Sequence, residues 1–269
     1  MLNDITIGQF FPGNSVIHRM DSRFKIVLDI IYVVMLFIAD NFVGLGIACI
    51  FMVMVYAVSG ISFRLILKSI KPVMPIILFT AILNLIFVKD AAAEPLVSFW
   101  VISIYRKGVE TSLFMVLRIL FLIIGMSLLT YTTSPIVLTD AIESLMSPLK
   151  KVKFPVHELA MMMTIALRFI PTLIEELNKI MMAQKARGAA LDSGGVIKRA
   201  KAMIPILIPL FVSAFKRANE LATAMECRCY RGGEGRTRLR VLKATRLDAY
   251  ATGLTLCVLG MVIINNIVF

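Results

Sequence analysis

Five long runs of apolar residues limit the folds that this chain can adopt. Each run approaches or reaches the roughly 20 residues that an α-helix needs to cross a bilayer. The apolar fraction is 59% and the charged fraction is 17%, whereas soluble domains average roughly 45–50% and about 25%. We therefore predict an all-α, polytopic membrane protein with about five transmembrane helices. The runs are residues 24–39, 42–59, 72–88, 112–131 and 249–269.

Positive charge is concentrated before the last apolar run. The net charge is +12, and residues 185–246 alone hold 14 Lys or Arg against 4 Asp or Glu. Because Lys- and Arg-rich loops stay in the cytoplasm, we expect residues 1–23 to be a cytoplasmic leader and residues 135–245 to be a cytoplasmic or interfacial coupling module. Residues 24–134 then hold transmembrane helices 1–4, and residues 246–269 hold the fifth. The N-terminus is expected inside and the C-terminus outside.

The basic segment does not by itself indicate a nucleic-acid-binding protein or an enzyme. It lacks an aromatic-interleaved binding module, so contact with lipid headgroups is the simpler interpretation for part of it. No cluster of His, Cys or carboxylates suggests catalysis, and the missing P-loop motif means that the chain is not itself an ATPase. Cys227 and Cys229 form a C-x-C pair without a second pair of ligands, which argues against zinc. No cofactor or metal is expected.

Three amphipathic helices are predicted in the coupling module. Apolar residues recur every three or four positions over 156–187, residues 196–230 repeat this plan, and residues 135–149 form a shorter helix before them. These helices are too apolar for water alone and too charged to span, so we place them at the membrane surface or in the cytoplasm. Pro171 should bend the first long helix, and Pro205 and Pro209 lie in the apolar centre of the second.

The two long helices end with matching residues. Ala186-Arg187-Gly188 closes the first and Cys227-Arg228-Cys229 closes the second, so the two arginines stand 41 positions apart. Arginine near a helix C-terminus, followed by glycine, is ordinary helix termination because it suits the helix dipole. Two such ends are also suited to docking into two similar sites on partner proteins. The small neighbouring residues let a partner's backbone come close, and a guanidinium binds carboxylates and carbonyls.

Two further arginines are candidates for a polar role. We interpret Arg118 as the only full charge in the middle of any predicted span. A charge inside the membrane is costly and indicates a function by default. The alternative to a functional role is that Arg118 pairs with a backbone carbonyl or extends its side chain to the membrane surface. Arg168 lies on the polar face of the first long helix, where a solvated position is commoner than a ligand contact.

Several spaced motifs together resemble the T component of energy-coupling factor transporters, the transmembrane coupling subunit of prokaryotic ATP-driven importers. The resemblance covers essentially the whole chain. The first Ala-Arg-Gly signature of that family is present at 186–188, and the second departs from it as Cys227-Arg228-Cys229. Ser22 stands where the family commonly has proline. The other matching stretches are Ser15-x-x-His18-x-x-Asp21-x-Arg23-x-Lys25, Thr132-Thr133-Ser134-Pro135, Pro148-Leu149-Lys150 and residues 166–171.

This resemblance implies a coupling mechanism in the cell membrane of a prokaryote. Arg187 and Arg228, with their small neighbours, would dock into two ATP-binding-cassette ATPases, identical or different. A separate substrate-binding membrane subunit, the S component, would pack against coupling helices shaped by Pro171, Pro205 and Pro209. ATP-driven motion would reach that subunit and release a vitamin or metal ion inside. The alternative function is a conventional permease of an ATP-binding-cassette importer, which lines its own substrate path.

Overall fold

A computed structural model describes residues 10–88, 97–99, 102–189, 195–232 and 242–268. These residues form ten α-helices, a 3₁₀ helix over Ser147–Val152 and one antiparallel strand pair. The pair joins β1 (Val97–Phe99) to β2 (Ile102–Ile104), with Val97 opposite Ile104. The helices are α1 (Val16–Arg19), α2 (Ser22–Ile38), α3 (Phe42–Ser59), α4 (Phe63–Ile70), α5 (Met74–Phe87), α6 (Arg106–Thr132), α7 (Pro135–Leu145), α8 (Val156–Ala186), α9 (Val196–Cys227) and α10 (Arg246–Val268).

The prediction of an all-α, polytopic membrane fold is confirmed. Among the described residues, α3, α6, α8 and α10 are long and apolar enough to cross a bilayer. A fifth candidate is the pair α4 and α5, which is bent by 60°, so the predicted third span is one arm of a bent pair. The predicted first span corresponds to α2, whose 17 residues make it about 25 Å long. The sequence places α8 at the membrane surface because of its charge, whereas its length and composition qualify it to span.

The described residues divide into two compact units. The first, which we call the coupling unit, lies within Ile142–Arg240 and contains α8 and α9. The second, which we call the bundle unit, lies within Ile7–Ala141 and Val241–Phe269 and contains α1–α6 and α10. Helix α7 contributes residues to each.

The core of the bundle unit is formed by α2, α3 and α6 with a contribution from α10. Tyr32 and Met35 of α2 and Leu45 of α3 are almost completely buried in one apolar cluster. Gly125 allows α6 to approach α2 closely, because a Cβ atom at this position would lie only 2.6 Å from a ring carbon of Tyr32. The apolar runs of the sequence therefore pack against one another through a small residue where the helices are nearest.

The leader motif of the sequence consists of helix caps and their partners. The Ser15 hydroxyl accepts a hydrogen bond from the His18 N–H at 3.4 Å, at the start of α1. His18 Nε2 donates to the carbonyl of Phe11 at 3.1 Å. Asp21 caps α2 by accepting from the Arg23 N–H at 2.9 Å, and its carboxylate also binds the Arg23 guanidinium at 2.7 Å. These residues therefore have local structural roles.

A buried charge network connects the leader to the rest of the bundle unit. The Lys25 side chain is buried, and its ammonium donates to the Thr132 carbonyl at 3.1 Å and to the Thr133 hydroxyl at 3.5 Å. The Asp248 carboxylate, which is 0% exposed, accepts from the Asp21 N–H at 2.9 Å. The network holds the starts of α2 and α10 against the end of α6. The leader motif and the Thr132-Thr133 stretch thus belong to the same hydrogen-bond network.

Candidate functional site: two arginine-bearing helix ends

Helix α8 ends in a Schellman motif at Arg187. The Gly188 N–H donates to the Lys185 carbonyl, and the Ala189 N–H donates to the Gln184 carbonyl, each at 3.0 Å. Gly188 has a left-handed backbone with φ of +85°, which glycine adopts without a Cβ clash. Because backbone N–H groups satisfy these last carbonyls, the Arg187 side chain is not needed to cap the helix.

Helix α9 ends in the same motif, with a cysteine in place of the glycine. The Cys229 N–H donates to the Glu226 carbonyl at 2.8 Å, and the Tyr230 N–H donates to the Met225 carbonyl at 3.0 Å. Cys229 has φ of +54°, a conformation that costs an L-residue roughly 1–2 kcal/mol. Each of these hydrogen bonds has its counterpart in α8, 41 positions earlier. The likeness of the two sequences is therefore also a likeness of backbone geometry.

Both arginines are available to a partner. We call residues 186–188 and 227–229 the Arg tips, and all six residues are exposed. Neither the Arg187 nor the Arg228 guanidinium makes a hydrogen bond or ion pair with a described residue. Cys227 and Cys229 are free thiols, and the described residues contain no group of three or more His, Cys, Asp or Glu that could hold a metal ion. Each tip thus offers an uncommitted planar cation with five N–H donors.

A polar clamp joins α8 to α9 at matching positions. Glu176 accepts from the Ser213 hydroxyl at 2.5 Å and from Arg217 Nε and Nη2 at 3.2 and 3.0 Å. Glu176 precedes Arg187 by 11 residues, and Arg217 precedes Arg228 by the same number. At about 1.5 Å per residue, each Arg tip lies about 16 Å along its helix from the clamp. The two tips are therefore equally far from one contact between their helices.

The three prolines of the coupling helices lie inside unbroken helices. Helix α8 continues through Pro171, and α9 continues through Pro205 and Pro209. All three prolines are exposed. Arg168 is also exposed and makes no hydrogen bond or ion pair with a described residue. The bend at Pro171 and a functional role for Arg168 stay predictions.

Arg118 is held by structural contacts. Its Nη2 donates to the carbonyl of Ala39, the C-terminal cap of α2, at 2.5 Å. Its guanidinium carbon lies 4.6 Å from the ring centroid of Phe114 and 5.8 Å from that of Phe37, distances typical of cation–π attraction. Its Nε is buried without a hydrogen-bond partner in the described residues. The pairing with a backbone carbonyl, left open by the sequence, is the one that forms.

Two carboxylates of the bundle unit were not recognised from the sequence as charges in or beside the transmembrane helices. Asp29 lies next to the midpoint of α2, so the interpretation of Arg118 as the only full charge in the middle of a span is wrong. Asp248 lies in the first turn of α10. Asp29 was overlooked because the run around it is mostly apolar. Its position seven residues after the start of the helix could have marked it as a charge inside a span. Asp248 falls one residue before the predicted fifth run. The Glu176–Arg217 pair left no signal, because it depends on how two helices pack.

Comparison with known proteins is consistent with this architecture. The family model described as cobalt transport protein, CbiQ, matches residues 13–239. The chain is 50% identical over 269 residues to the protein of Ruminiclostridium cellulolyticum, covering 100% of both chains. Identity is 53% over 265 residues to that of Clostridium kluyveri, covering 98% of this chain and 97% of the relative. It is 45% over 248 residues to that of Bacillus subtilis, covering 92% and 93%.

All three relatives are named energy-coupling factor transporter transmembrane protein EcfT. Their similarity extends over nearly all of each chain and includes both Arg tips, which lie within the region that the family model matches. The chain therefore belongs to the EcfT family, the transmembrane proteins of energy-coupling factor transporters.

Proposed function

We propose that this chain is the coupling subunit of an ATP-driven importer of a vitamin or metal ion. Its Arg tips dock two ATP-binding-cassette ATPases, and α8 and α9 transmit the motion of the ATPases to a separate S component that carries the substrate. The observation that carries the proposal is the repeated Schellman end, in which Arg187 and Arg228 occupy equivalent positions 41 residues apart. Two equivalent cationic ends suit two equivalent acceptor sites.

The chemistry of each tip favours a protein partner with carboxylate or carbonyl groups. A guanidinium binds such groups through parallel hydrogen bonds. Neither arginine side chain donates a hydrogen bond to a described residue of its own chain. The residues beside each arginine are small, so a partner's backbone can come close. The left-handed residue after each arginine also ends the helix abruptly, which leaves the arginine at an exposed corner.

An apolar stripe on α9 supports contact with a membrane partner. Ile204, Ile208, Phe211 and Phe215 are all exposed large apolar residues, and their spacing of four, three and four residues places them on one helix face. Exposed apolar patches of this kind mark protein or membrane contacts. We assign this face to the S component.

The clamp gives the coupling helices a means of moving together. Glu176 is bound by two side chains of α9, so a displacement of one tip is passed to the other helix through this contact. Coupling between sites requires such a physical connection. We place the coupling unit on the cytoplasmic side, with the N-terminus inside and the C-terminus outside, because the basic segments then share one side of the membrane.

Co-purification with candidate ATPases tests the proposal. The chain is co-expressed with the ATPases as wild type, Arg187→Ala, Arg228→Ala and the double variant, and its level in the membrane is measured separately. A hydrogen bond to a charged group contributes roughly 1.5–3 kcal/mol, so each single variant should weaken the complex about tenfold or more. The double variant should lose the ATPases.

Arg168→Ala is the matched control, because it removes an exposed and unpaired arginine from the same helix as Arg187. It should leave ATPase recovery unchanged. Full recovery of the ATPases by the double variant would show that the tips are only helix ends. Equal loss by Arg168→Ala would show that general positive charge, rather than the tips, attracts the ATPases.

A further inference from the structure

Helix α4 lies where two helices that can span the membrane end. Helix α3 ends at Ser59, and the chain turns at Gly60, whose φ of +70° is left-handed, so that α4 begins four residues after that end. The Tyr131 hydroxyl holds one side of α4, because it donates to the Leu65 carbonyl at 3.2 Å and hydrogen-bonds with the Ser69 hydroxyl. The apolar run of α6 ends at the same tyrosine. Both neighbouring helices therefore place α4 at a boundary of the membrane.

The direction of α4 fits the membrane surface better than a transmembrane path. Its eight residues make the helix about 12 Å long, and its axis is inclined by 60° to the axis of α5. If α5 crosses the bilayer along its normal, α4 adds only about 6 Å to the crossing. A short helix that runs along the membrane surface needs one face for acyl chains and another for headgroups.

The side chains of α4 provide an apolar face and a basic face. Helical spacing places Phe63 and Leu67 on one side of the helix. The three cations lie beside them, within a sector of about 60°. We call these cations, Arg64, Lys68 and Lys71, the α4 basic row. All five side chains are exposed, and helices at a membrane surface combine Phe or Leu with Lys or Arg in this way.

The α4 basic row has no acidic partner among the described residues. None of its three side chains makes a hydrogen bond or ion pair with a described residue, and residues 41–89 contain no Asp or Glu. The three positive charges lie along about 10 Å of helix and repel one another. This face of α4 therefore attracts anions from outside the chain.

The exposed apolar residues beside the cations favour a lipid as the source of these anions. An acidic protein surface would neutralise the α4 basic row but would leave Phe63 and Leu67 against polar groups. An anionic phospholipid supplies a phosphate for the cations and acyl chains for the apolar side chains. Because Lys and Arg have long aliphatic stems, they can reach the headgroups from a helix that lies slightly deeper.

We propose that α4 lies along the membrane surface and binds anionic phospholipid headgroups through the α4 basic row. The phosphates bind the three cations, and Phe63 and Leu67 pack against acyl chains. The bent pair is then a surface helix followed by the spanning helix α5, rather than one broken span. An anionic lipid such as phosphatidylglycerol is preferred at this position over a zwitterionic lipid such as phosphatidylcholine.

Quenching of a single tryptophan by brominated lipids tests the lipid contact and the headgroup preference together. Trp100 is the one tryptophan of the chain, so Trp100→Phe combined with Phe63→Trp places the only indole beside the α4 basic row. The full-length protein is reconstituted into vesicles of equal parts phosphatidylglycerol and phosphatidylcholine, with bromine on the acyl chains of one lipid or the other. One Lys or Arg near an anionic surface contributes a preference of about fivefold. Phosphatidylglycerol should therefore bind beside the indole at least about fivefold better than phosphatidylcholine, and salt should reduce this preference.

Two triple variants, made in the same single-tryptophan protein, separate the α4 basic row from general positive charge. Exchange of the whole row for Gln should lower the preference to about onefold, while both brominated lipids still quench because α4 keeps its apolar face. The matched control removes three exposed lysines at the 3₁₀ helix of the coupling unit and should keep the preference. Its changes are Lys150→Gln, Lys151→Gln and Lys153→Gln.

Four results would overturn the assignment. Absence of quenching by either brominated lipid would place α4 away from the acyl chains. Equal quenching by both lipids with the α4 basic row intact would show that the row does not select anionic headgroups. Loss of the preference in the lysine control would assign it to general positive charge. Quenching that disappears when the chain is assembled with its partner subunits would assign this face of α4 to a protein.

Discussion

Replacing Asp248 is the perturbation whose cost the structure defines best. One oxygen of this fully buried carboxylate accepts from the Asp21 N–H at 2.9 Å. The other accepts from the N–H and the hydroxyl of Thr245 at 2.6 and 2.9 Å. In Asp248→Asn one acceptor becomes an NH₂ group that faces a donor, so at least one hydrogen bond to a charged acceptor is lost. Such a bond contributes roughly 1.5–3 kcal/mol, and we expect a loss of about 2 kcal/mol in the free energy of unfolding.

Asp248→Ala removes all three bonds and leaves buried donors unpaired, so its cost should reach about 4 kcal/mol. The assay is equilibrium unfolding of the purified protein in mixed micelles under increasing denaturing detergent. Asp40→Asn, an exposed carboxylate of the same unit, should change the free energy by less than about 0.5 kcal/mol. If Asp248→Asn is as stable as the wild type, the buried network does not hold α2 and α10 together.

Three other predictions follow from single contacts. Gly188→Ala should reduce amide-exchange protection of the last turn of α8 about tenfold, because the left-handed conformation costs an L-residue roughly 1–2 kcal/mol, whereas Cys229→Gly should raise protection at the end of α9. Glu176→Arg and Arg217→Glu should each reduce ATP-driven uptake by the assembled transporter, and the double exchange should restore it if the clamp connects the helices. Gly125→Ala should destabilise the bundle unit by roughly 1–3 kcal/mol in the same micelle assay, because its new methyl group would overlap a tyrosine ring of α2.

The helices of the coupling unit could be predicted closely from the sequence. The apolar period predicts helices over 156–187 and 196–230, and the structure has α8 at Val156–Ala186 and α9 at Val196–Cys227. Periodicity works here because each helix has one apolar face and one charged face. It works less well for α4 and α5, since an apolar run does not reveal the 60° bend between two arms.

The geometry of the tips was only partly predictable. Glycine after Arg187 is a recognised helix stop, and the left-handed φ at Gly188 agrees with it. Cys229 takes the same conformation against its local preference, so only the match in spacing to Gly188 indicated it. The Glu176–Arg217 clamp depends on how α8 and α9 pack against each other, which composition and periodicity do not encode.

The stoichiometry of the purified complex tests the central claim most directly. Native mass spectrometry of the chain bound to its ATPases should show two ATPase subunits per wild-type chain. Arg187→Ala and Arg228→Ala should each shift the complex toward one ATPase per chain, and the double variant should be free of ATPase. Two ATPases bound to the double variant at wild-type affinity would contradict the claim that the paired Arg tips are the docking elements.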